Sequence, residues 1–137
     1  MNKNKSLKVS IYVNLFVSLQ CKTMLDMDKP LFNLATLPEA DEFLDSLAPA
    51  VVRKVFYNIR KVAGGVKDPE LFKKISENIW EFRTLYQGMA YHLFAFWDKD
   101  GETLVIATHG LVKKSQKTPK KEIDKAERIR TEYFASK

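Results

Sequence analysis

Cysteine is almost missing from this chain: Cys21 is the only one in 137 residues. A single thiol excludes an intramolecular disulfide framework and any zinc site built on cysteines. Histidine is nearly as scarce, with only His92 and His109. That leaves little for metal ligation, and neither a metal nor a cofactor is expected. No internal repeat or low-complexity tract is visible. The chain also lacks an apolar run long enough to cross a bilayer. The stretch from Val9 to Leu19 is interrupted by Ser10, Asn14 and Ser18, whereas a spanning helix needs about 20 apolar residues. No membrane partner is expected, and a reducing cytoplasm fits.

That stretch still has the outline of a secretory signal, with a basic start before an apolar core. No small-x-small cleavage site follows it, and Met24 and Met27 lie just downstream. Residues 1–26 are therefore read as a doubtful N-terminal extension from a misassigned start, with secretion as the alternative. Residues 27–137 are read as one domain. What the chain does have is positive charge: net +6 and a pI near 9.4. The charge is uneven. Residues 109–137 hold nine Lys or Arg against four Asp or Glu. Such a segment suits an anionic partner, because neutralising phosphates releases condensed counterions.

Periodicity gives an α+β pattern in the order β, α, α, β, β, β, α. Residues 30–35 read as a short strand, and Thr36 with Glu39 has capping-box spacing. Phe43, Leu44 and Leu47 mark a first helix, broken at Pro49. Val52, Val55, Phe56, Ile59 and Val62 mark a second, ended by Gly64-Gly65. Its outer residues Arg53, Lys54, Arg60 and Lys61 are read as a solvated face. Residues 68–77 read as a turn or short helix. Strands follow at 78–84, 90–97 and 103–109, separated by turn signals at Gln87-Gly88 and 98–101. Thr118 caps a last helix with Pro119 at its first position. Ile123, Ala126, Ile129 and Tyr133 form that helix's inner stripe. An antiparallel, mostly meander sheet follows, with the N-terminal helices on one face and a C-terminal helix added.

A register follows from the turns. Closing the first hairpin at Gln87-Gly88 sets Arg83 opposite His92. Closing the second symmetrically sets Trp97 opposite Glu102, His92 opposite Ala107 and Ala90 opposite His109. Alternation then places Ile79, Glu81, Arg83, His92, Phe94, Phe96, Ala107 and His109 on one face. Trp80, Phe82, Tyr91, Leu93, Ala95, Trp97, Leu104 and Ile106 take the other. The first face is apolar at one end and gathers Arg83, His92 and His109 at the other, beside Lys113, Lys114 and Lys117. That is a phosphate-sized anion site. RNA can be cut there by its own 2′-hydroxyl, which attacks the adjacent phosphate. Arg suits the growing phosphorane charge because its planar fork binds two oxygens. His suits proton transfer near neutral pH, and Lys adds electrostatic stabilisation.

Each of these residues also has a structural role open to it. Arg83 can pair with Glu81, His92 can be a hydrogen-bonded sheet histidine, and His109 can fix the following loop. The lysines can form a solvated run.

Several segments taken in order carry a resemblance: Glu81-Phe-Arg83, Tyr91–Phe96, His109-Gly-Leu-Val-Lys-Lys114, Gln116-Lys-Thr-Pro119, Glu122-Ile, and Ala126, Arg128 and Tyr133. From about Phe43 to Tyr133 the chain resembles the phage-derived HigB-like branch of the RelE/ParE toxin superfamily. The resemblance implies a RelE-like sheet packed by N-terminal helices. It also implies ribosome-dependent cleavage of mRNA in the A site, and a cognate antitoxin, often a small helix-turn-helix protein. Arg83 matches the arginine of the family's Glu-Leu-Arg motif, and Lys113 and Lys114 match its basic loop. His92 stands where the family usually has a phosphate-contacting arginine, and Leu111 replaces a Phe. The expected activity is a metal-independent mRNA endonuclease toxin with Arg83, His92 and His109 as catalytic residues. Lys113, Lys114 and Lys117 are the expected RNA-binding residues. The alternatives are a ParE-like gyrase inhibitor and a non-catalytic homologue that only binds antitoxin or RNA.

Overall fold

A computed structural model of the chain describes residues 30–100, 103–115 and 117–137. The doubtful extension at 1–26 therefore lies outside the described residues, as do Glu102 and Gln116. The elements are β1 (Asn33–Thr36), α1 (Pro38–Asp45), α2 (Pro49–Ala63), β2 (Phe72–Lys74), β3 (Trp80–Tyr86), β4 (Met89–Asp98), β5 (Leu104–Lys113) and α3 (Lys120–Ala135). The class is α+β, as expected. The sheet runs β1-β5-β4-β3-β2, antiparallel except for the parallel β1–β5 pair.

Proline starts both N-terminal helices, Pro38 in α1 and Pro49 in α2. A missing N–H costs nothing where the helix has no acceptor for it. The Thr36 capping box does not form: Leu37 holds the cap position, and the Thr36 hydroxyl instead donates to Asp41 Oδ1 at 2.6 Å. A proline at the first helical position moved the cap one residue onward. In α2, Val51, Val55, Phe56, Ile59 and Val62 are buried against the sheet. Gly65, at φ 109°, follows its end in a conformation that only glycine adopts cheaply.

Residues 68–77 contain a strand rather than a helix. Phe72 pairs with Phe82 and stacks on it at 4.3 Å, and Lys74 pairs with Trp80. Three residues are too few to show a period, and only the neighbouring strand makes them extended.

The first hairpin closes as expected. Gln87 and Gly88 both take positive φ, as a two-residue primed turn requires, and Arg83 lies opposite His92. The second hairpin does not. Asp98 pairs with Leu104 and Ala95 with Ala107, and beyond a bulge Leu93 pairs with Gly110, His92 with Leu111 and Ala90 with Lys113. The loop is longer than the symmetric closure assumed. Ile106 and Leu104 therefore move to the Phe94/Phe96 face, and Ala107 moves to the helix face. The bulge sets Thr108 and His109 together against Phe94 and reverses the alternation once more. His109 thus returns to the face of Arg83 and His92.

Two cores result. One lies between the sheet and α1/α2, with Leu34, Leu44, Phe56, Ile59, Phe82 and Leu93 at its centre. The other lies under α3, with Ile79, Phe94, Phe96, Ile106 and Ala126. Trp97 is half-buried at the margin of the first, and Trp80, also half-buried, lies against Phe72 and Trp97.

Candidate functional site: a buried carboxylate under a basic strand end

Glu81 is the centre of the polar end of the α3 face. It points the same way as Ile79 and Arg83, so the sheet buries it completely. A buried carboxylate survives only when it is paired. Three groups pair it. Arg83 Nε lies 2.8 Å from Oε2, His92 Nδ1 lies 3.0 Å from Oε1, and the Thr118 hydroxyl donates to Oε1 at 2.6 Å. The Arg83 and His92 contacts are short but poorly aligned, so they act as charge contacts rather than linear hydrogen bonds. Burial pushes the Glu81 carboxyl up. The contact with His92, the bond from Thr118 and the nearby charge of Arg83 outweigh that and hold it below its ordinary value.

The Thr118 bond corrects one expectation. Thr118 does not cap α3; Pro119 takes the cap position without a side-chain bond. The hydroxyl is spent on Glu81, which ties the segment ahead of α3 down to the sheet.

Among the expected site residues, Arg83 and His92 come together as direct cross-strand neighbours. Arg83 is 12% exposed and reaches Pro69 O at 3.4 Å. His92 is completely covered, and its Nε2 has no hydrogen-bond partner among the described residues. His109 shares the face but does not touch them. The Phe94 ring lies between, with centroids 6.5 Å from His92 and 4.8 Å from His109. His109 Nε2 contacts Glu122 Oε1 at 3.0 Å, and its Nδ1 lies 2.9 Å from the Thr108 hydroxyl. Burial lowers the His109 pKa; the bond to Glu122 opposes this but does not reverse it. Burial thus favours the neutral ring. With Nε2–H donating to the carboxylate, Nδ1 is left as an acceptor beside the Thr108 hydroxyl, which also reaches Phe94 O at 3.4 Å.

Lys113 ends β5 on the His92 face, opposite Ala90, and is half-buried. Lys114 and Lys117 are exposed in the following segment. Among the described residues none of the three lysines forms an ion pair. Lys114 and Lys117 face solvent, and Lys113 shares the sheet face that carries the Glu81 network. No group of three or more His, Cys, Asp or Glu is placed to hold a metal among the described residues.

Glu81, Thr118 and Glu122 were absent from the expected site. A signal for Glu81 existed: alternation placed a carboxylate between Ile79 and Arg83, on a face otherwise apolar at that level. Nothing in the sequence joined Thr118 to it, because they are 37 residues apart.

Fold and site together define a small basic α+β protein in which a carboxylate-held Arg–His pair underlies a strand end rich in lysine. The chain belongs to the family described as phage derived protein Gp49-like (DUF891), whose model matches residues 42–131. The match runs from α1 into α3 and includes every residue of the Glu81 network. The family is toxin-like and lies within the RelE/HigB-like toxin superfamily, which implies a cognate antitoxin as partner. A comparison with curated proteins finds no match. No helix among the described residues is long and apolar enough to cross a membrane.

Proposed function

We propose that the chain is the toxin of a type II toxin–antitoxin pair and acts as a ribosome-dependent, metal-independent mRNA endonuclease. The observation that carries this reading is the Arg83–Glu81–His92 cluster beneath the unpaired charges of Lys113, Lys114 and Lys117. In this reading the lysines draw the RNA backbone to the end of β5. Arg83, held by Glu81, binds the scissile phosphate and stabilises charge as the 2′-hydroxyl attacks. Glu81 holds the Nδ1 side of His92, and Nε2, without a partner among the described residues, is the atom that would take the proton. Because His92 is covered, proton transfer requires local opening at this end of the sheet. His109, bonded at both nitrogens, holds the base of the basic segment. The antitoxin would be a small helix-turn-helix protein, and the compartment the cytoplasm.

The burial of both histidines favours a second reading, in which the chain binds gyrase or RNA and cuts nothing. Inducible expression with mapping of mRNA 5′ ends separates the two. The nuclease reading expects new ends inside translated messages, lost in Arg83→Ala and reduced in Lys113→Ala/Lys114→Ala, which changes no member of either core. Growth arrest with intact messages and a DNA-damage response would overturn it.

A further inference from the structure

The outer face of α2 carries charge that no acidic group among the described residues neutralises. Its fifteen residues include Arg53, Lys54, Arg60 and Lys61 and no Asp or Glu. With Tyr57 these occupy positions i, i+1, i+4, i+7 and i+8, one stripe of the helix, opposite the stripe buried on the sheet. Tyr57 is 45% exposed. Three cations surround its ring: Lys54 Nζ at 5.2 Å, Lys61 Nζ at 5.4 Å and the Arg60 guanidinium at 5.5 Å.

A solvated face does not account for this arrangement. On α3 three of the five cations are matched, Lys120 by Asp124, Lys125 by Glu39 and Arg128 by Glu132. On α2 no ion pair to the four cations is found among the described residues. Arg60 and Lys61 gain from the helix C-terminus, but Arg53 and Lys54, in the N-terminal half, have no such support. One ring cannot offset the mutual repulsion of three charges gathered round it. The arrangement is completed by an anion that also offers a flat surface to the ring.

We propose that this face of α2 is a second RNA-binding surface, with phosphates on Arg53, Lys54, Arg60 and Lys61 and an unpaired base stacked on Tyr57. The choice of RNA rests on the function proposed above. The surface itself is separate from the cleavage site, because α2 packs on the Phe82/Leu93 side of the sheet and Arg83 lies on the other. It would anchor a larger RNA while the message occupies the far side. An acidic protein segment would satisfy the charges but gives no use for an exposed ring among them.

The test is fluorescence anisotropy with a labelled, 2′-O-methyl single-stranded RNA of about 12 nucleotides, which cannot be cut. It uses the full chain carrying Lys113→Ala/Lys114→Ala/Lys117→Ala, so that the other basic surface is silent. Adding Lys54→Ala/Arg60→Ala/Lys61→Ala should lower affinity about tenfold or more. It should also reduce the slope of log K against log salt by about 2, at roughly 0.7 per phosphate contact. Tyr57→Ala should lower affinity about fivefold or more with the slope unchanged, as for a lost stacking contact. Unchanged affinity and slope in the Lys/Arg variant would overturn the proposal. So would retained RNA binding with lost binding of labelled poly-glutamate, which would assign the face to an acidic protein. If messages stay intact in cells while these binding losses are observed, the nuclease reading fails and this surface stands.

Discussion

Removing the Glu81 side chain should be the most damaging single change at the site. Glu81→Ala would leave the His92 ring, 0% exposed, and the Arg83 side chain, 12% exposed, without their carboxylate. It would also free the Thr118 hydroxyl, bonded at 2.6 Å. Breaking a buried ion pair from one side costs about 3–5 kcal/mol, because the remaining charge stays desolvated. Arg83 retains its bond to Pro69 O, which places the expected cost toward the lower end. A domain of this size has roughly 5–15 kcal/mol in total, so the loss is a large fraction. Glu81→Gln keeps the shape and one acceptor and should cost about 1–3 kcal/mol. Urea unfolding followed by the fluorescence of Trp80 and Trp97 reads both as shifts in midpoint at constant slope. The pH dependence adds a second check. The folded pKa of Glu81 lies below its ordinary 4.5. Its contribution is therefore present above that pH and lost as pH falls through the folded value. The gap between wild type and Glu81→Gln should close in acid. A cost below about 1 kcal/mol for Glu81→Ala at pH 7 would refute the view that this network is tightly held.

Gly110→Ala should destabilise by about 1–3 kcal/mol, since a Cβ there would overlap the Phe43 ring of α1. Thermal melts should show part of the loss recovered by Phe43→Leu in the same chain, and strictly additive costs would count against the contact. His109 should make the protein acid-sensitive. Its folded pKa lies below 6.5, so the stability it supports is complete above that pH and declines as pH falls through the folded value. His109→Asn should flatten unfolding free energy against pH just below 6.5; a steeper profile would contradict the neutral ring. Asp98→Asn should weaken the tie between the end of β4 and α3, where Asp98 Oδ2 accepts from Tyr133 at 2.7 Å and Lys137 at 2.9 Å. The expected cost is about 1–2 kcal/mol, mostly from the tyrosine bond. Hydrogen exchange should quicken in the last turns of α3 and stay unchanged in α2.

Much of the frame was legible in the sequence because it rests on local signals. Apolar spacing marked α2, Gly64-Gly65 marked its end, and Pro49, read as the break of the first helix, is where α2 begins. Gln87-Gly88 determined a turn geometry, and that turn alone set Arg83 opposite His92. The second hairpin failed for the same reason that the first succeeded. Its loop has no two-residue turn to fix the register, so the pairing was settled by Ile106 and Leu104 reaching the α3 core and Ala107 the other. The shift and the bulge offset each other at His109, which reached the expected face by a different route.

The segment from His109 to Pro119 separates the two kinds of information. By itself the sequence determined that this stretch is basic, that it follows a strand, and that its pattern resembles a toxin family. Only the tertiary structure decided what its members do. At Gly110 a Cβ would overlap the Phe43 ring, and the Thr118 hydroxyl is spent on the buried Glu81. Lys113 faces the Arg83–His92 pair because a bulge turned the strand. Composition and period report what each residue prefers within a turn of helix or a pair of strand positions. A buried carboxylate 37 residues away exerts its demand only once the chain has brought it into contact.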